Sequence, residues 1–234
     1  MSESQPASSD RNAIAKSLVA LAVTLVVMGV VLFVPAGTLN WPHGWWFAIA
    51  FLVATLVGVI VLWRVNPEIF AARSKVQAGT KPLDYLFITI AVGGYFLILP
   101  VAGLDFRFGG SNVPDWLVWL GFIGFALAYA GEVWAQAVNR HFEPGVRIQS
   151  DRGHTVIDTG PYAYIRHPGY SFGSLLAISV ALMLGSWWAL LPALLVIVAV
   201  VPRTLFEEKT LRTGLSGYAE YTQRVKWRWL PGVW

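Results

Sequence analysis

Six charge-poor runs, at residues 17–34, 44–63, 85–103, 116–131, 171–184 and 187–201, recur along this chain and limit what it can fold into. The first four are near the roughly 20 residues that a helix needs to cross the hydrocarbon core of a bilayer, while the last two are short by themselves. Backbone amides in that layer find no water, so such runs take helical form. The connections between them divide sharply in charge. In order from the N-terminus they hold 2, 0, 4, 1, 4, 0 and 6 Lys and Arg residues, so one side of the membrane takes 16 and the other takes 1. The positive-inside rule then places both termini in the cytosol and predicts an all-α polytopic bundle of about six membrane segments.

Composition agrees, with 56% of residues hydrophobic and only 13% charged, against about 25% charged in a soluble domain. Trp41, Trp45, Trp46, Trp63, Trp116, Trp187 and Trp188 stand near run ends, where an interfacial aromatic belt would hold them. The chain has no cysteine, which removes disulfides, thiolate metal sites and a cysteine nucleophile together. His43, His141, His154 and His167 lack the spacing of a zinc motif, so no metal centre is expected. The net charge of +4 collects on one membrane face, which argues against nucleic acid as a partner. The first run exceeds the apolar core of a cleaved signal and reads as a retained span. Residues 1–12 are expected to form a polar tail, 13–138 four spans with their loops, and 139–234 the region that carries the chemistry.

Within that last region, the connection 139–167 is long and broken at Pro144-Gly145, Gly153 and Gly160-Pro161. Loops of this length in compact domains are often functional. Pro168 suits the first position of a helix, where its missing N–H costs little. Gly185-Ser186 supplies a tight turn, so the last two runs form a helical hairpin. A helix from Trp187 to Arg212 would extend about 39 Å at 1.5 Å per residue and lift Arg203, Glu207 and Glu208 over the cytosolic mouth. Pro202 is a place for it to kink. Arg203 and Glu207, four apart, share a face, while Glu208 lies about 100° round the helix. Glu132 and Gln136 also share a face near the cytosolic end of the fourth run. An acidic residue inside a span is a site candidate, although Glu132 can equally reach the headgroups or pair with Arg140.

The sequence Gly160-Pro161-Tyr162-Ala163-Tyr164-Ile165-Arg166-His167-Pro168-Gly169-Tyr170, the later Arg203, Glu207 and Glu208, the preceding Arg152-Gly153-His154-Thr155-Val156-Ile157 and the following Tyr218 and Tyr221 form an ordered set. It resembles the signature of the isoprenylcysteine carboxyl methyltransferase family, integral-membrane enzymes that use S-adenosylmethionine (SAM). The resemblance covers roughly 139–234; Asn66-Pro67-Glu68 and Arg73 resemble bacterial members less distinctively. It implies a SAM-dependent methyltransferase of a bacterial inner membrane, acting on a lipophilic or small acceptor such as an isoprenylcysteine-like carboxylate. It also implies that His154, Val156, Ile157, Gly160, Pro161, Tyr162, Arg166, His167, Pro168, Tyr170, Glu207 and Glu208 surround the cofactor, and that Arg203 and Glu207 serve catalysis. Tyr162 and Tyr164 stack near adenine or anchor the interface. Arg203 orients an anionic acceptor or the glutamates. The helix N-terminus at Pro168 offers free N–H groups to the cofactor carboxylate.

Two other readings remain at this level. An NADPH-dependent membrane reductase of sterol-reductase type shares a hydrophobic C-terminal hairpin, and a transporter or structural membrane protein would use the same polar residues only to anchor its spans. A strand-associated G-x-G-x-x-G fingerprint is absent from the sequence, so any cofactor pocket must come from spans and loops. Relatives methylate carboxylates, amines or thiols, and nothing in the sequence separates these. Small-residue spacings such as Gly121 and Gly124 are too common in membrane helices to give an oligomeric state.

Overall fold

The computed structural model describes residues 23–74 and 76–234. The expected tail at 1–12 and the start of the first run lie outside the described residues. The chain is helical: α1 (Val23–Ala36), α2 (Pro42–Val65), α3 (Glu68–Arg73), α4 (Pro82–Phe108), α5 (Asp115–Val138), α6 (Pro168–Met183), α7 (Leu190–Gly214) and α8 (Tyr218–Arg224). Four of these, α2, α4, α5 and α7, are long and apolar enough to cross a membrane, and α1 and α6 are shorter apolar helices. The protein is therefore an integral membrane protein of the helical-bundle class. Val53, Ile60, Ile123, Leu127, Leu191 and Val198 are exposed, as lipid-facing side chains are.

Proline sets three of the starts, because α2, α4 and α6 each carry it in the first helical turn, where no N–H is needed. α6 begins at Pro168, as expected from the sequence. Helix α7 starts at Leu190, three residues after the expected Trp187, and continues through Pro202 to Gly214. Between α6 and α7, Gly185 takes φ +71°, a left-handed conformation that glycine adopts without penalty. The turn is moored to α4, because Ser186 Oγ and Ser111 Oγ both donate to Asp105. Trp187 N in turn donates to Ser111 Oγ at 3.0 Å.

The helices pack closely where side chains are missing. A Cβ on Gly121 of α5 would fall 2.7 Å from Met183 N and 3.0 Å from Ser179 O of α6, so only glycine allows that approach. Most of the span-end tryptophans are exposed as a belt requires, but Trp41 is not: it is 1% exposed. Its ring stacks on Phe106 at 5.1 Å, which makes it part of the core joining α2 to α4.

The chain beyond α8 returns over the start of α6, a feature with no sequence signal. Ile165 and Trp227 form a parallel bridge. Arg166 N donates to Trp227 O and His167 N to Arg228 O, both at 2.9 Å. Trp229 Nε1 donates to Thr204 Oγ1 at 3.0 Å and so ties the same strap to α7.

Candidate active site

A cavity of about 390 Å³ opens among α4, α5, α6 and α7, beneath the 139–157 loop and beside α8. That volume lies within the usual range for small-molecule sites. Of the residues singled out in the sequence, His154, Val156, Ile157, Tyr162, Arg166, His167, Tyr170, Arg203 and Glu207 line it. Gly160, Pro161, Pro168 and Glu208 are not among its lining residues. Gly160 packs against α5, where a Cβ would come 3.1 Å from Trp134 and Val138. Pro161 and Pro168 are buried, and Tyr164 is exposed.

At one wall, Tyr170 Oη donates to Glu207 Oε2. The Tyr170 ring stacks on His167 at 5.4 Å with planes 6° apart, and the Arg203 guanidinium sits 5.5 Å from the same ring. Glu207 Oε1 accepts no hydrogen bond among the described residues and is free to meet a ligand. Glu208 points elsewhere, accepting from Arg166 Nε at 2.5 Å and Arg228 Nε at 3.0 Å. Arg166 Nη1 donates to the carbonyls of Val225 and Lys226 at 2.6 and 2.8 Å. The adjacent glutamates thus hold different posts, one at the cavity and one in the strap.

Arg203 does not ion-pair with Glu207. Its Nε donates to Asp84 Oδ1 at 2.8 Å and its Nη2 to Asp84 Oδ2 at 3.2 Å and to the Pro144 carbonyl. Asp84 also accepts from Val146 N at 2.7 Å. A carboxylate at the start of α4 therefore fastens both α7 and the loop over the cavity. Asp84 carried a weak signal, being acidic in the first turn of a helix where it faces the positive end of the helix dipole, but nothing in the sequence named its partner.

The loop is built from charge and from a histidine pair. Arg147 holds Glu143 through Nε and Nη2 at 2.7 and 2.8 Å and reaches Asp151 at 2.6 Å. These carboxylates raise the guanidinium above its ordinary value. His141 and His154, thirteen residues apart in sequence, meet with ring centroids 4.6 Å apart. Gln149 N donates to His154 Nδ1 at 3.2 Å, so this ring is neutral. Burial, with the His141 ring beside it, lowers His154 from 6.5 to about 4. The depressed value means that its stabilising effect is complete above about pH 6.5 and is lost as the pH falls toward about 4. Thermal unfolding of the wild type is expected to drop through that window more steeply than that of His154→Asn, which does not titrate.

Tyr162 is anchored within the wall: Asn139 Nδ2 donates to its hydroxyl at 2.9 Å, and Tyr221 Oη donates to its carbonyl at 2.7 Å. Deeper in, Tyr95 of α4, Glu132 of α5, Gly173 and Ser174 of α6, and Val196 and Val200 of α7 complete the cavity. Glu132 does not pair with Arg140; Gln136 Nε2 approaches its Oε2 at 3.4 Å, as their shared face predicts. Two buried side-chain polar atoms of cavity-lining residues, Ser174 Oγ and Tyr218 Oη, lack a hydrogen-bond partner among the described residues, while His167 Nε2 stands 3.4 Å from Glu208 Oε1. Buried polar atoms are rarely left unpaired, so their collection in one cavity points to a polar ligand.

The fold and this site define a membrane protein with a cavity enclosed by α4 to α7 and the 139–157 loop. Residues 116–215, from α5 through α7, match the model of a family described as phospholipid methyltransferase, the grouping of the isoprenylcysteine carboxyl methyltransferase-like membrane methyltransferases. The matched segment contains Glu132, the 139–167 connection, the α6–α7 hairpin, Arg203 and both glutamates. No curated protein matches the chain.

Proposed function

We propose that the protein is a SAM-dependent methyltransferase whose cofactor enters from the cytosol and whose lipophilic acceptor reaches the cavity from the bilayer. The observation that carries this reading is the meeting of His154, Val156, Ile157, Tyr162, His167, Tyr170 and Glu207, drawn from separate parts of the family-like signature, around one cavity containing unpaired polar atoms. The residues fit the cofactor. Val156, Ile157, Leu211 and Leu215 give an apolar surface for adenine, the free Glu207 Oε1 accepts from ribose hydroxyls or an ammonium, and the unpaired Tyr218 Oη gives a further polar contact.

SAM, when bound, supplies an electrophilic methyl group on a sulfonium. The chain's part is to orient and to exclude water, since charge falls as a sulfonium meets a nucleophile and a dry pocket favours that change. Tyr170 holds Glu207 in place through its hydroxyl. Arg203 acts as a positioning residue, because its Nε and Nη2 are occupied by Asp84 and Pro144, and Nη1 alone cannot grip an acceptor carboxylate through two parallel bonds.

Calorimetric titration of the full chain in nanodiscs tests the reading. The wild type is expected to bind SAM. Tyr218→Phe should weaken it about fivefold, the effect of one hydrogen bond worth about 1 kcal/mol, and His167→Ala should weaken it as well. Binding of NADPH without SAM would replace this reading with that of a reductase, and binding of neither would leave an anchoring role for the cluster.

A further inference from the structure

Arg107 takes no part in the cavity. It lies on the last turn of α4, about 35 Å along that helix from Asp84 by its rise. The connections 37–41, 109–114 and 184–189, at the same end of the bundle, hold no other Lys or Arg. Its guanidinium stands against Gly37, where a Cβ would come 3.3 Å from Arg107 Cζ and Nε. Among the described residues it makes no hydrogen bond or ion pair, and the Phe108 ring stands 5.7 Å from it. Asp105 of the same turn instead accepts from Ser111 and Ser186. The last carbonyls of α1 and α4 attract the cation, but none accepts a hydrogen bond from it.

Gly37 also lines a second cavity, an apolar groove of about 700 Å³ between α1 and α2. Leu25, Gly29 and Phe33 line it from α1, and Trp45, Ile49 and Leu52 from α2. Gly29 keeps it open, since a Cβ there would meet nothing within 4 Å. Near Gly37, the Trp45 ring lies 4.7 Å from Phe33, and its indole N–H donates to the Leu39 carbonyl at 2.8 Å. From Leu25 to Val34 the groove runs about 14 Å by helical rise, close to half of a hydrocarbon core roughly 30 Å thick. That is the depth of one leaflet, and so of one acyl chain. Any lipid chain can lie on an apolar face; the unpaired cation at the end of this one selects the head. A guanidinium complements a phosphate, which it grips through two parallel bonds.

We propose that the α1–α2 groove is a resident site for an anionic phospholipid, with one acyl chain along the groove and the phosphate on Arg107. The lipid there is a structural ligand and not a methyl acceptor, because the length of α4 separates it from the cavity. The site does not depend on the methyltransferase reading. A zwitterionic lipid carries its own cation beside the phosphate and gains less from the guanidinium, and a neutral diacylglycerol has no phosphate to offer.

Native mass spectrometry of the delipidated full chain in detergent tests this, with dioleoyl phosphatidylglycerol, dioleoyl phosphatidylcholine and dioleoylglycerol as probes of equal chain length. The wild type should retain one phosphatidylglycerol, about fivefold or more tighter than either of the others. Arg107→Gln should weaken phosphatidylglycerol about tenfold, the scale of a hydrogen bond to a charged group, and leave phosphatidylcholine within about twofold. Arg107→Lys, which keeps the charge without the fork, should restore part of the loss. Gly29→Leu fills the groove without a clash and should weaken both phospholipids while the unfolding midpoint of the lipid-free protein holds. Equal retention of phosphatidylglycerol by the wild type and Arg107→Gln would overturn the proposal, as would retention of the diacylglycerol as tightly as phosphatidylglycerol. A bare monomer or a lipid-free pair of chains would overturn it as well, pointing to the chain itself or to a second copy as the occupant.

Discussion

Glu208→Ala is expected to cost about 3–5 kcal/mol of stability, the penalty for breaking one side of a buried ion pair. Glu208 is 4% exposed and neutralises Arg166 at 2.5 Å and Arg228 at 3.0 Å. Without it, Arg166 keeps the carbonyls of Val225 and Lys226 but loses its counter-charge in a site closed to water. The strap at 225–229 should loosen, and protease cleavage there should become faster. SAM affinity should fall through loss of this wall and not through loss of a ligand contact. Glu207→Ala supplies the contrast: its carboxylate lies at the cavity, so binding should suffer while unfolding in detergent changes far less.

The second large effect is expected at Arg203. Arg203→Ala strands Asp84, which is fully buried at 0% exposure, and about 3–5 kcal/mol should again be lost. Arg203→Lys keeps the charge but not the planar fork that holds both carboxylate oxygens and the Pro144 carbonyl, so its loss should be intermediate. The pair Asp84→Asn with Arg203→Met should be less harmful than Arg203→Ala alone, because neither charge is then left unpaired. Denaturation midpoints of the wild type, Asp84→Asn, Arg203→Met and the double variant form the cycle that measures the coupling. SAM affinity and turnover should fall together in the single variants, since Pro144 and Val146 line the cavity through this clasp.

The spans were legible because their signal is local. Runs 44–63, 85–103 and 116–131 fall inside α2, α4 and α5, and Pro168 and Gly185 marked the ends of α6 by backbone chemistry confined to one or two residues. The site was legible only as a set of residue types. His154, Tyr162, His167, Tyr170 and Glu207 do converge, but sequence could not separate Glu207 from its neighbour Glu208, because one residue's rotation on α7 decides which carboxylate faces the cavity and which faces the strap. Asp84 with Arg203, 119 residues apart, and Arg166 with the 225–226 carbonyls lie beyond any helical period. Trp41 failed for the same reason. Its place near a run end suggested the interface, and only the approach of Phe106 from another helix turns it inward.

The strap also fixes when the cavity can exist. A polypeptide emerges from the ribosome N-terminus first, and its earlier segments take up structure before later ones are made. α2, α4 and α5 can therefore be in the bilayer while the carbonyls of 225–228 that receive Arg166 and His167 are still unmade. During that interval the Arg166 guanidinium has no lasting partner among them, and the α6 end of the pocket stays open. Assembly of the binding site thus waits for residues 225–228 and is separated in time from insertion of the helices that frame it.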